Sequence, residues 1–152
     1  MRRLIFLTVL IALPTALAAA SAASAFPFRL AGGTAVSLQH GRGFARLQEH
    51  GSALGRIRRG RLRVTNLPGG RIHVGGWERV RRVGPRTKVY RGRGLTFSIV
   101  GGRWRFRASG RGINVSAVAR GKLVLEGTRG TYRLDYGRTR RWPRHARTFI
   151  LR

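Results

Sequence analysis

The chain has 152 residues, no cysteine and a formal net charge of +28. That length suits one hydrophobic core, and an apolar content of 42% in ordered patterns excludes a disordered chain. The missing thiols exclude disulfides, thiolate metal sites and a lipid-modified N-terminal cysteine.

All but Lys88 and Lys122 of the 32 basic residues are arginine, against only Glu49, Glu78, Glu126 and Asp135. GC-rich coding accounts for arginine over lysine. It does not account for the scarcity of acids, because such a genome writes Asp and Glu readily.

The chain opens with Met1-Arg2-Arg3 and an apolar run, Leu4–Leu17, broken only by Thr8, Pro14 and Thr15. Ala23-Ser24-Ala25 before Phe26 has the small-x-small form that signal peptidase cuts. Ala20-Ser21-Ala22 is a second cleavage candidate. The pattern predicts a secretory signal peptide over 1–25 and a single basic β-domain over 26–152, secreted or associated with the cell envelope. The alternative is an uncleaved anchor, since Leu4–Ala23 has roughly the ~20 residues a spanning helix needs. Pro14 and the alanine-rich tail weaken such a helix.

Within Phe26–Gly55, the glycine rhythm of Gly41, Gly43 and Gly51 inclines Phe44–His50 toward strand rather than helix. From Arg56 onward apolar and polar residues alternate with period two, and glycine-rich breaks recur. The expected fold is therefore all-β, an antiparallel hairpin meander closing as a sandwich or barrel, with a short β-solenoid as the alternative.

Three hairpins carry this plan. Leu62 and Val64 are expected to pair with Val74 and Ile72 across Leu67-Pro68-Gly69. Ile99 and Phe97 should face Trp104 and Phe106 across Gly101-Gly102. Val115 and Ala117 should pair with Leu125 and Leu123 across Ala119-Arg120-Gly121, and Gly127-Thr128-Arg129-Gly130 should link onward to Tyr132. Arg147–Leu151 reads as a last strand. In each strand the large apolar residues belong inside, because burial of each is worth roughly 1.5–3 kcal/mol. That leaves Arg103, Arg105 and Arg107 facing water. A Gly-Arg pair precedes each hairpin, at Gly60-Arg61, Gly92-Arg93 and Gly110-Arg111. This repetition keeps the solenoid alternative open.

The run Val89-Tyr90-Arg91-Gly92-Arg93-Gly94-Leu95, with Gly101-Gly102-Arg103 and Gly110-Arg111-Gly112-Ile113-Asn114-Val115-Ser116-Ala117-Val118, resembles small exported Gly/Arg-rich proteins of high-GC actinobacteria. The resemblance runs from Gly43 to the C-terminus. It implies export and a β fold, and carries no activity.

No catalytic constellation emerges. The four acids are scattered, and in so cationic a chain each is expected to pair with arginine rather than act in a carboxylate couple. His40, His50, His73 and His145 lack ligand spacing, and on a strand Glu49 and His50 must point to opposite faces. There is no G-x-S-x-G, and the Gly-x-Gly pieces lack the setting of a dinucleotide site. No cofactor, no metal and no catalytic residue is expected.

Charge is the remaining handle. Basic clusters occur at Arg56/Arg58/Arg59/Arg61/Arg63, at Arg79/Arg81/Arg82/Arg86, and at Arg138/Arg140/Arg141/Arg144/Arg147 around Trp142. The Arg103/Arg105/Arg107 stripe repeats at ~7 Å along a strand, close to phosphate spacing. The candidate polyanion contacts are thus Arg103, Arg105, Arg107, Arg138, Arg140, Arg141, Trp142, Arg144 and Arg147. The expected partner is an anionic polymer or membrane surface: lipid head groups, wall phosphate polymers, acidic polysaccharide or DNA. A structural or assembly module with an acidic protein partner is the alternative, and an envelope enzyme comes third.

Overall fold

A computed structural model describes residues 32–152. The predicted signal peptide, with Ala23, Ser24 and Ala25, lies outside the described residues. Seven strands follow one another: β1 (Thr34–Asn66), β2 (Arg71–Gly75), β3 (Arg79–Gly84), β4 (Thr87–Val100), β5 (Arg103–Leu134), β6 (Arg140–Arg141) and β7 (Arg147–Leu151). The fold is all-β and every pairing is antiparallel. The last strand falls where it was expected, and Phe44–His50 is strand, as the glycine rhythm suggested.

The sheet order is β2-β4-β1-β5-β6, with β3 also on β4 and β7 on β5. This is not a meander, because β1 lies between β4 and β5, and among the described residues no pairing joins the two ends of that order, so the sheet does not close as the expected barrel. The long strands β1 and β5 form one ladder from Val36↔Leu134 to Asn66↔Trp104. They then meet a second time. Residues from Thr34 to His50 also pair, along their other edge, with Ala119 to Arg103.

Ala119 therefore partners both Thr34 and Gly51, seventeen positions apart on β1. The β1/β5 ribbon is wound against itself, one turn beside the next.

The three expected hairpins are corrected by this winding. Leu62 and Val64 partner Tyr90 and Lys88 on one side and Ala108 and Phe106 on the other, while Ile72 and Val74 pair with Ile99 and Phe97. Gly101 and Gly102 do turn the chain, with φ of 61° and 69°. The strands they join part rather than pair, and Ile99 partners Ala53 while Trp104 partners Glu49 and Asn66. Ala119-Arg120-Gly121 and Gly127–Gly130 are not turns at all, since β5 runs through both. A long-range ladder with β1 satisfies the same backbone groups that local hairpins would have used.

Which side faces inward was nonetheless set by alternation. Leu47, Ile57, Leu62, Leu95, Phe97, Ile99, Trp104, Phe106, Val115, Leu123 and Leu125 are all buried. Phe97 and Phe106 touch with ring centroids 5.0 Å apart. Trp104 stacks on Phe106 at 5.4 Å and donates its indole N–H to the Gly51 carbonyl.

One tier of the coil is built differently. Gly127, Gly43, Gly110, Gly60 and Gly92 stand side by side across five strand segments. A Cβ on Gly43 would strike the Glu126 carbonyl, and one on Gly110 the Arg59 carbonyl. Backbones approach here more closely than any side chain permits.

Candidate anion-binding groove

Beside the glycine tier the alternation turns arginine outward. Arg129, Arg42, Arg111, Arg59 and Arg93 are Cα partners in succession, a row of five across the sheet. With strands about 4.8 Å apart, adjacent guanidinium groups are neighbours. Like charges placed directly opposite one another destabilise a ladder.

Three members of the row, Arg42, Arg111 and Arg129, line a groove of about 920 Å³. Arg56 and Arg58 join from β1, and Arg141 and Arg144 from the segment after β5, with Gln39, Asn114 and Thr131 among the polar neighbours. No Asp or Glu lines it. The arrangement offers planar, multi-donor cations to an anion, and nothing that repels one.

His40 also lines the groove and is held in an uncommon conformation. Its φ is 54°, in a tier where the neighbouring segments use glycine at positive φ, as at Gly112 and Gly130. β1 bulges here, so that Gln39 and Gly41 find partners on β5 and His40 does not. Its own N–H donates to Asn114 Oδ1 at 2.8 Å. A non-glycine residue in this region costs roughly 1–2 kcal/mol, a strain of the kind that gathers at ligand contacts.

The groove's wall is set by Trp142. This side chain is buried, fills the space above Gly41 and Gly127, and donates its indole N–H to the Thr131 carbonyl at 3.1 Å. Its backbone N–H binds Gly130, and Gly127 N–H binds the Pro143 carbonyl. Trp142 is therefore an anchor that holds Arg141 and Arg144 beside the arginine row. The side chain that sequence reading named as a candidate contact is thus buried, and it borders the groove.

The other candidate contacts lie elsewhere. Arg103, Arg105 and Arg107 are exposed on β5, as alternation required, but they do not line the groove. Arg107 sits over the Phe44 ring, 4.2 Å from its centroid, and Arg147 over Phe149 at 5.4 Å. Arg138 and Arg140 are exposed away from the groove. Sequence reading did not single out His40, Arg42, Arg111 and Arg129, which line the groove. The Gly-Arg pairs, noticed there as punctuation, were the signal for Arg111.

The acids do not behave as arginine partners either. Glu78 Oε1 accepts from the Arg93 backbone N–H, and Asp135 Oδ1 from that of Ala35. Glu49 lies inside the coil, 5% exposed, between its cross-strand partners Trp104 and Gly121. Neither of its oxygens has a hydrogen-bond partner among the described residues. Burial pushes its carboxyl up to about 8, so it is protonated at neutral pH. His50 points outward, on the opposite face. Among the described residues no three His, Asp or Glu side chains gather as a metal site would require. The chain matches no protein-family model, no curated protein and no solved structure.

Proposed function

We propose that this chain is a non-catalytic, exported module of the cell envelope that holds a linear polyanion along its arginine groove. The observation that carries the reading is the row Arg129–Arg42–Arg111–Arg59–Arg93, in register across the sheet, whose members Arg129, Arg42 and Arg111 line a groove without acids. A phosphate- or carboxylate-bearing polymer laid across the row relieves the like-charge contacts and accepts forked hydrogen bonds from each guanidinium. The row spans roughly 19 Å, long enough for several anionic groups. Binding of this kind reads charge rather than sequence and weakens steeply with salt. The N-terminal signal pattern favours a wall phosphate polymer or acidic polysaccharide outside the cell over chromosomal DNA.

The test is retention on heparin and on phosphate resin, followed by titration with a short inorganic polyphosphate. Arg42→Gln/Arg111→Gln is expected to weaken binding by about tenfold, whereas Arg103→Gln/Arg105→Gln should change it by less than about twofold. Elution alongside a neutral control protein, or equal losses from the two pairs, would rule the groove out.

An assembly role is the second reading. It rests on β7, an edge strand whose Ile150 is 62% exposed. Unpaired edges of this kind invite a further strand, and a defined oligomer that persists on size exclusion at high salt would support it.

A further inference from the structure

A second surface shares no residue with the groove. β3 is the outer strand on β4, paired only through Arg79–Gly84, and Arg79 to Val83 are all exposed. Three large apolar side chains stand in water there: Trp77 at 49% exposure, Val80 at 44% and Val83 at 43%. Arg79, Arg81, Arg82 and Arg86 are interleaved with them and exposed. The one acid nearby, Glu78, is engaged with the Arg93 backbone N–H.

Arginine on an edge strand is explained by protection against unwanted strand pairing. That explanation leaves Trp77 and the two valines unaccounted for, because exposing them costs burial free energy and protects nothing. Indole, aliphatic and guanidinium groups together match the water–lipid boundary. There an indole lies at head-group depth, aliphatic carbons reach the acyl chains and guanidinium groups meet lipid phosphate. Single-stranded nucleic acid fits less well, since it seeks successive aromatic platforms and valine offers none.

We infer that the β3 edge, from Trp77 to Arg86, is a contact surface for anionic phospholipid, which would hold the module against a membrane while the groove faces its polymer. The inference does not depend on the groove binding anything.

Fluorescence isolates the event, because Trp104 and Trp142 are buried and only Trp77 is free to respond. The full chain is titrated with vesicles of phosphatidylglycerol and phosphatidylcholine in equal parts, and with vesicles of phosphatidylcholine alone. Emission should shift to the blue on the anionic vesicles only, and Trp77→Phe should abolish the shift. Arg79→Gln/Arg81→Gln/Arg82→Gln should raise the lipid concentration at half-effect by about tenfold or more, while Arg42→Gln/Arg111→Gln leaves it unchanged. Unchanged emission at saturating anionic lipid, an equal shift on neutral vesicles, or indifference to the triple substitution would overturn the proposal. So would a larger response to a single-stranded oligonucleotide than to lipid. These substitutions are on exposed side chains, so loss of folding does not confuse the result.

Discussion

Two tiers of the same coil present arginine to water, and they are walled by different parts of the chain. In the aromatic tier the interior is filled by Trp104, Phe106, Phe97 and Leu47, and Arg103, Arg105 and Arg107 stand outside them. In the glycine tier the strands supply almost nothing to the interior, and Trp142 enters from the C-terminal segment to occupy the space over Gly41 and Gly127. Its insertion carries Arg141 and Arg144 to the flank of Arg42, Arg111 and Arg129. The aromatic tier is filled from within, and Arg107 on its outer face borders a second depression that β3 walls with Arg79 and Arg81. Charge is common to both surfaces, and the wall comes from the C-terminal segment in one and from β3 in the other.

The largest effect is expected in the aromatic tier, at Glu49. Its carboxyl moves from 4.5 to about 8 on folding, so the folded state holds a proton that the unfolded state loses across that window. Stability is full below about pH 4.5 and falls as pH rises, by about 1.4 kcal/mol per unit until pH 8. Urea titrations between pH 5 and 8 should show this slope, and Glu49→Gln should remove most of it. A Glu49→Gln protein with the same slope would show that the proton sits elsewhere.

In the glycine tier the most damaging substitution is Trp142→Ala. It should cost about 4 kcal/mol, as loss of a buried indole does, and should weaken polyphosphate binding in whatever fraction remains folded. Trp142→Phe keeps an aromatic ring but loses the bond to Thr131 and part of the packing over Gly41 and Gly127, so it should cost less than the alanine, stay folded and retain the groove. Gly43→Ala comes next. With φ at 149° and the Glu126 carbonyl in the way, it should lower stability by about 3 kcal/mol in thermal melts. A wild-type melting temperature for Gly43→Ala would refute the close backbone approach.

The smallest effect is expected at His40. His40→Gly relieves the strain at φ 54°, and should leave stability unchanged or raise it by under about 1 kcal/mol. If His40 meets the anion, the same substitution weakens polyphosphate binding. Stability and affinity would then move in opposite directions at a single residue. Affinity that is unaltered in His40→Gly would confine the site to the arginines.

How much of this was legible can be judged residue by residue. Trp104, Phe106 and Phe97 were recognisable as core because alternation with arginine leaves only one side for them. The opposite facing of Glu49 and His50 followed from the same period. The groove was half visible: Arg56, Arg58, Arg141 and Arg144 belong to basic clusters that are contiguous in sequence. Arg42, Arg111 and Arg129 are isolated in sequence and meet only because β1 pairs with β5 along both edges. Gly121 and Gly127–Gly130 read as turns because glycine permits turning. In the structure the same freedom serves close passage of backbones.

By itself the sequence determined the strand class and the face that each residue shows. Side chains on a strand alternate strictly, and water sorts apolar from charged groups locally. Which strand pairs with which, and in what register, was decided only by the tertiary structure. Hydrogen-bonded ladders are chemically alike at every offset, so the choice between a nearby hairpin and a distant ribbon rests on how the whole coil closes over Trp104, Phe106 and Trp142.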